Sequence, residues 1–187
     1  MHFLAKLAVA LPAIAGIASA AVLPRAVDSD TMISNLKDLT QRSSDTGELA
    51  KALGVFDQYP TTDNYRAAIN GLRDLITATG ADATAAADTQ PYADDATQQS
   101  VCDAYKTLVS TQSEMLNNFI AKSFIADGGF GGPFAAAFRS LEGADDALSF
   151  EIINAVPSCA DSATENKNSL DDKLSKADCA YSPNGIC

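Results

Sequence analysis

Three adjacent acid pairs, four cysteines and a single histidine are the residues of this 187-residue chain whose types could carry chemistry. The pairs are Asp94/Asp95, Asp145/Asp146 and Asp171/Asp172. Glycoside hydrolysis needs two opposed carboxylates, one of them with a raised pKa. Neighbours i and i+1 on a helix point about 100° apart and do not face each other. The pairs therefore read as solvated helix faces and first-turn charges. The histidine, His2, lies in an N-terminal stretch that reads as a secretion signal. Its loss with that stretch removes Ser-His-Asp and Cys-His catalysis, histidine-containing zinc sites and most general-base schemes near neutral pH. His-dependent phospholipase chemistry goes too, despite the pair Cys102-Asp103. No calcium loop with alternating Asp/Asn ligands and a central Gly appears. The expectation is a protein that is not an enzyme, with no catalytic residues, no metal and no cofactor.

The signal reading rests on Lys6, the apolar run Leu7 to Ile17, and Ala18-Ser19-Ala20. That order of charge, apolar core and small-x-small end is what signal peptidase cuts after. A membrane anchor needs roughly 20 consecutive apolar residues, more than this run supplies. Residues 1–20 are thus expected to be removed, 21–29 to form a flexible lead, and 30–187 to fold as one domain. The C-terminus, ending Asn184-Gly185-Ile186-Cys187, has no hydrophobic tail for a glycolipid anchor. No Asn stands in an N-x-Ser/Thr sequon. A formal net charge of −11 repels phosphate backbones and anionic bilayers, so neither nucleic acid nor a membrane surface is an expected partner. The product is expected to be extracellular and free.

Helical periodicity supplies the elements that would position any site. One segment spans about Ser29 to Asp57, with the seam Met32, Leu36, Leu39, Ser43, Thr46, Ala50, Leu53 and a cap at Ser29 or Asp30. The next starts at Thr62 and reads Tyr65, Ile69, Leu72, Ile76, Thr79, Ala83, Ala86, with Gly80 a candidate early stop. A third starts near Asp95, reads Cys102, Tyr105, Val109, Gln112, Leu116, Phe119, and runs on through Phe124 and Ile125 to a glycine-rich linker. Pro133 opens the fourth, whose seam is Phe134, Phe138, Leu141, Asp145, Leu148, Ile152, Ala155. Ser162 and Glu165 form a capping box for the fifth, which carries Leu170, Leu174 and Ala177. The fold expected is all-α: an up-and-down bundle of about five long amphipathic helices with short connections.

Four cysteines allow three pairings, and the bundle chooses among them. The third segment starts at the end to which the fourth returns, so Cys102 and Cys159 come within reach. Cys179 closes the fifth segment at the opposite end, roughly 25 Å away. A disulfide needs Cα atoms within about 7 Å. The expected bridges are Cys102–Cys159 and Cys179–Cys187, both structural staples.

Several stretches resemble one fungal secreted family. They are Val101-Cys102-Asp103-Ala104-Tyr105, Asn117-Asn118-Phe119-Ile120-Ala121-Lys122, Gly132-Pro133-Phe134 and Ile153-Asn154-Ala155-Val156-Pro157. The family contains the hydrophobic surface-binding protein A type and the antigenic cell-wall galactomannoproteins, and the resemblance spans nearly all of the chain after the signal. The four cysteines and the absence of a Ser/Thr-rich tail set this chain apart from the wall-bound members, so the resemblance implies at most a loose association with the cell wall. The resemblance implies a helical bundle that binds apolar matter. Some members adsorb to hydrophobic surfaces and recruit lytic enzymes, which would make a secreted esterase a partner. Others hold a fatty acid between their helices.

The residues are compatible with such a ligand. A helix of 25 residues is about 38 Å long, enough to flank an extended acyl chain. Ser43, Thr46, Thr79, Ala83 and Ala86 put small residues on the seams and leave room. Gln112, polar in the middle of its seam, is placed to bond a ligand carboxyl group; otherwise it satisfies a neighbouring helix or faces water. Tyr105, Leu116, Leu141 and Ile76 complete the expected lining. Phe119, Phe124, Phe130, Phe134 and Phe138 gather around one glycine-rich turn. Phe119, Phe134 and Phe138 read as core, whereas Gly-Gly-Phe-Gly-Gly puts Phe130 on an exposed loop suited to a portal or contact patch. A fatty-acid binder, a surface-adsorbing protein and a secreted antigen or effector scaffold are the three functions these residues allow.

Overall fold

Asp28 begins the first helix: its side chain accepts from the Thr31 amide at 2.8 Å, and α1 runs Ser29–Ala52. Four more long helices follow in this computed structural model, which describes residues 26–57 and 59–182. They are α2 (Asp63–Ala86), α3 (Asp95–Ile120), α4 (Gly132–Ala155) and α5 (Ala160–Tyr181). Short 3-10 turns, Ser123–Gly128 and Pro157–Cys159, join the last three. Thr62 and Asp94 cap α2 and α3 by accepting from the amides of Tyr65 and Thr97, each cap stabilising its helix by about 1 kcal/mol. The expected signal sequence lies outside the described residues. No helix among the described residues is long and apolar enough to cross a membrane.

Several boundaries differ from the periodic reading. α1 stops at Ala52 rather than near Asp57, because Leu53 turns to extended backbone before Gly54 and points into the core. Its cap is Asp28, not Ser29 or Asp30. Gly80 does not break α2. α3 ends at Ile120, and Phe124 and Ile125 belong to the following 3-10 turn, which buries Ile125. The capping box at Ser162 is not used: the turn begun by Pro157 already winds into α5 at Ala160. Of the expected lead, residues 21–25 lie outside the described residues; within the rest, the Val27 amide donates to Thr89 Oγ1 and its carbonyl accepts from the Tyr92 hydroxyl.

The helices alternate in direction as expected, but they do not simply pack on their chain neighbours. The principal contacts are α1–α2, α2–α4, α4–α5, α5–α3 and α3–α1, which close a five-membered ring. Tyr65 packs on Phe134, and Ile76 flanks a groove with Ser140, so α2 and α4 run parallel. Gly47 lies against Met115 in the same way between parallel α1 and α3. The α2–α3 and α3–α4 connections therefore cross the ends of the ring.

Cys102 and Cys159 are bonded, as the geometry of the bundle required, with Cα atoms 6.7 Å apart. Gln98 secures the same end: its Nε2 donates to Tyr92 O and its Oε1 accepts from Ser158 N, both at 2.7 Å. Cys179 is disulfide-bonded; its expected partner, Cys187, lies outside the described residues.

Candidate functional site

Because α3 and α4 face each other across the ring, contacts between them run through its interior. Three layers of such contacts stack along the axis. At one end Phe119 of α3 packs on Phe134 and Phe138 of α4, with ring centroids 5.7 and 5.4 Å apart. Tyr181 closes this layer against both α4 rings and donates its hydroxyl to Phe119 O at 2.9 Å. In the middle layer Gln112 Nε2 donates to Asp145 Oδ1 at 3.1 Å. Toward the disulfide end the hydroxyls of Tyr105 and Ser149 pair at 2.6 Å.

The middle layer is chemically unusual. Gln112 and Asp145 are both buried, yet Gln112 Oε1 and Asp145 Oδ2 have no hydrogen-bond partner. Thr79 Oγ1 on α2 is likewise buried and unpartnered. A buried polar atom without a partner costs about 1–3 kcal/mol, so two of them on one pair demand an explanation. Burial pushes the Asp145 carboxyl up to about 7; the bond from Gln112 opposes this, and the charges of Asp146 and Asp171 add to it. Lys167 is no counterion for Asp145, since its Nζ sits 2.5 Å from Asp146 and 2.7 Å from Asp171. Those bonds hold its pKa above the ordinary value.

The ten residues expected to line a lipid site divide into two sets. Gln112, Tyr105, Leu116, Phe119, Phe134, Phe138 and Leu141 are brought together in the interior and are essentially without exposed surface. They pack on one another rather than around an open tunnel. Gln112 meets a neighbouring helix, as the alternative reading of it required. Phe124, Phe130 and Ile76 lie outside the interior. Phe124 is half-buried in the 3-10 turn. Ile76 lines a groove of about 470 Å³ between α2 and α4 with Arg73, Pro133 and Ala137.

Phe130 is 36% exposed, but its loop is not free. The Tyr65 hydroxyl donates to Phe130 O at 2.8 Å, and the Phe130 ring meets Tyr59. Val55, Phe56 and Tyr59 stand exposed on the α1–α2 connection, Phe56 at 85%, so an aromatic patch caps this end. A smaller groove runs from Pro60 past Tyr65 and Ile69 to Arg73.

Asp145 was missed as a site residue. Reading Asp145/Asp146 as a solvated pair holds for Asp146, which meets Lys167, and fails for Asp145. The signal was its place on the α4 seam between Leu141 and Leu148.

The chain is thus a disulfide-stapled five-helix ring with a carboxyl–carboxamide pair inside an apolar core. No protein-family model matches the sequence, and no curated protein matches it either. Solved structures are similar in fold. AFMP4P in complex with palmitic acid superposes with a TM-score of 0.74 at 20% identity, over 83% of this chain and 100% of that one. Ligand-binding domain 1 of the Penicillium marneffei MP1 protein, complexed with arachidonic acids, gives 0.73 at 16% identity, over 83% and 100%. Domain 2 of the same protein, also with arachidonic acids, gives 0.64 at 18%, over 80% and 93%.

Proposed function

We propose that this chain is a secreted, non-catalytic binder of fatty acids or similar single-chain amphiphiles, related to the fungal surface-binding and galactomannoprotein family, and that it holds the acyl chain between the helices of its ring. The observation that carries this reading is the shared fold with structures that hold palmitic and arachidonic acids. The interior supports it, because an aromatic layer adjoins a polar pair with open hydrogen-bonding atoms, the pattern an amphiphile requires. The layers are filled by their own side chains, so admission of an acyl chain requires the ring to widen. The aromatic end patch is the natural point of entry.

A second reading, adsorption to hydrophobic surfaces with recruitment of a lytic esterase, is favoured by the exposed Val55, Phe56, Tyr59 and Phe130. Native mass spectrometry of the secreted protein, followed by titration with palmitate and arachidonate, separates the two. Saturable uptake at a fixed stoichiometry is expected. Replacing Phe130 with Ser is expected to slow that uptake without changing the stoichiometry. Adsorption to apolar beads with no saturable ligand would overturn the carrier reading in favour of the surface-active one.

A further inference from the structure

We propose that the Gln112–Asp145 pair is the head-group site of the interior, and that it selects lipids whose polar end donates a hydrogen bond: a hydroxyl, or a carboxyl group that shares one proton with Asp145. This rests on the lipid-binding reading above and specifies its chemistry.

The open atoms define what the site takes. Gln112 Oε1 is an amide oxygen and can only accept. Asp145 Oδ2 accepts when ionised and donates when protonated. A methyl ester brings acceptors alone and leaves Gln112 Oε1 unpaired. A hydroxyl donates to that oxygen or to the Asp145 carboxylate. A carboxylate anion, by contrast, puts a second negative charge beside Asp145 in a dry interior.

Among the described residues, the charges that act on Asp145 are those of Asp146 and Asp171, and neither neutralises a second carboxylate. On α4 itself the neighbouring titratable groups are Asp146 and Glu142, both acidic. α5 supplies Asp171 and Lys167, and the lysine is already held by two carboxylates. α3 supplies Tyr105, a neutral phenol whose pKa burial pushes up to about 12. A proton is therefore the compensating charge, and the pair of carboxyl groups holds one between them.

This makes uptake of an acid proton-linked. Below pH about 7 Asp145 carries the proton already, so affinity for the acid is level there. Above it the proton must come from solvent, and affinity falls toward tenfold per pH unit. A hydroxyl lipid shows no such slope.

The test uses the delipidated full-length secreted protein with palmitic acid, 1-hexadecanol and methyl palmitate, each titrated between pH 5.5 and 8.5. We expect hexadecanol to bind roughly tenfold tighter than the ester at every pH. Palmitic acid is expected to weaken only above pH about 7, and Asp145→Asn to abolish that slope while still binding the acid. Binding of all three with equal, pH-independent affinity to the native protein would overturn the head-group inference and leave the lipid-binding reading intact. Uptake of none of them would overturn both. The native series decides the matter even if the variant does not fold.

Discussion

Replacing Asp145 with Asn should stabilise the fold at neutral and alkaline pH and change it little in acid. The ordinary carboxyl pKa is 3.8, and burial raises it to about 7 in the folded protein. Between those values the folded state keeps a proton that the unfolded chain has released. Native stability therefore falls as pH rises through this window, by up to about 1.4 kcal/mol per unit. Over the whole window the loss is on the order of 4 kcal/mol. Asn keeps the shape and accepts from Gln112 Nε2 with its oxygen. Urea unfolding of both proteins at pH 4, 5.5, 7 and 8.5 measures the difference directly. Helix-capping carboxylates such as Asp28 and Asp94, whose pKa values are lowered by the amides and hydroxyls they bind, act in the opposite sense. They cancel in the comparison, being common to both. The expected difference is near zero at pH 4, grows to pH 7 and is constant beyond. Parallel stability curves, or a variant weaker than the native protein at pH 8.5, would show that the reasoning about Asp145 is wrong.

Two further predictions concern the frame around the site. Converting both Cys102 and Cys159 to Ser opens a link of sequence separation 57, and should lower stability by about 4 kcal/mol on the chain-entropy account. An unchanged denaturation midpoint would contradict it. Gly131→Ala places a Cβ 2.5 Å from Tyr181 O and 2.7 Å from Ala126 Cβ, which should cost about 1–3 kcal/mol. Thermal unfolding reads that cost, and a neutral substitution would mean that the α3–α4 connection moves freely against α5.

The polar pair links specificity to rigidity. Its hydrogen bond ties α3 to α4 across the ring, so a head group that engages Gln112 and Asp145 acts at the point where the two halves meet. The aromatic layer below is held by Tyr181 and Tyr65, whose hydroxyls bond backbone carbonyls of α3 and of the α3–α4 connection. An acyl chain displacing these rings would work against two anchored tyrosines. The head-group end and the aromatic end of the interior thus make different demands on a ligand, one chemical and one steric.

Periodicity alone determined that five long helices form, which face of each is buried, and that Cys102 must meet Cys159, because those features depend on local spacing and on helix length. It also placed Gln112 and Asp145 on buried seams. What a polar residue on such a seam encounters depends on the helix opposite, and only the tertiary structure decided that. Closing the ring as α1–α2–α4–α5–α3 sets α3 across from α4 and brings Gln112 to Asp145 through the interior. Packing likewise ended α1 at Ala52 so that Leu53 could be buried, and started α5 at Ala160 from the Pro157 turn in place of the Ser162 cap. Caps and propensities contribute about 1 kcal/mol each, and a buried leucine or a closed ring interior contributes more. Where the two compete, the tertiary contact prevails.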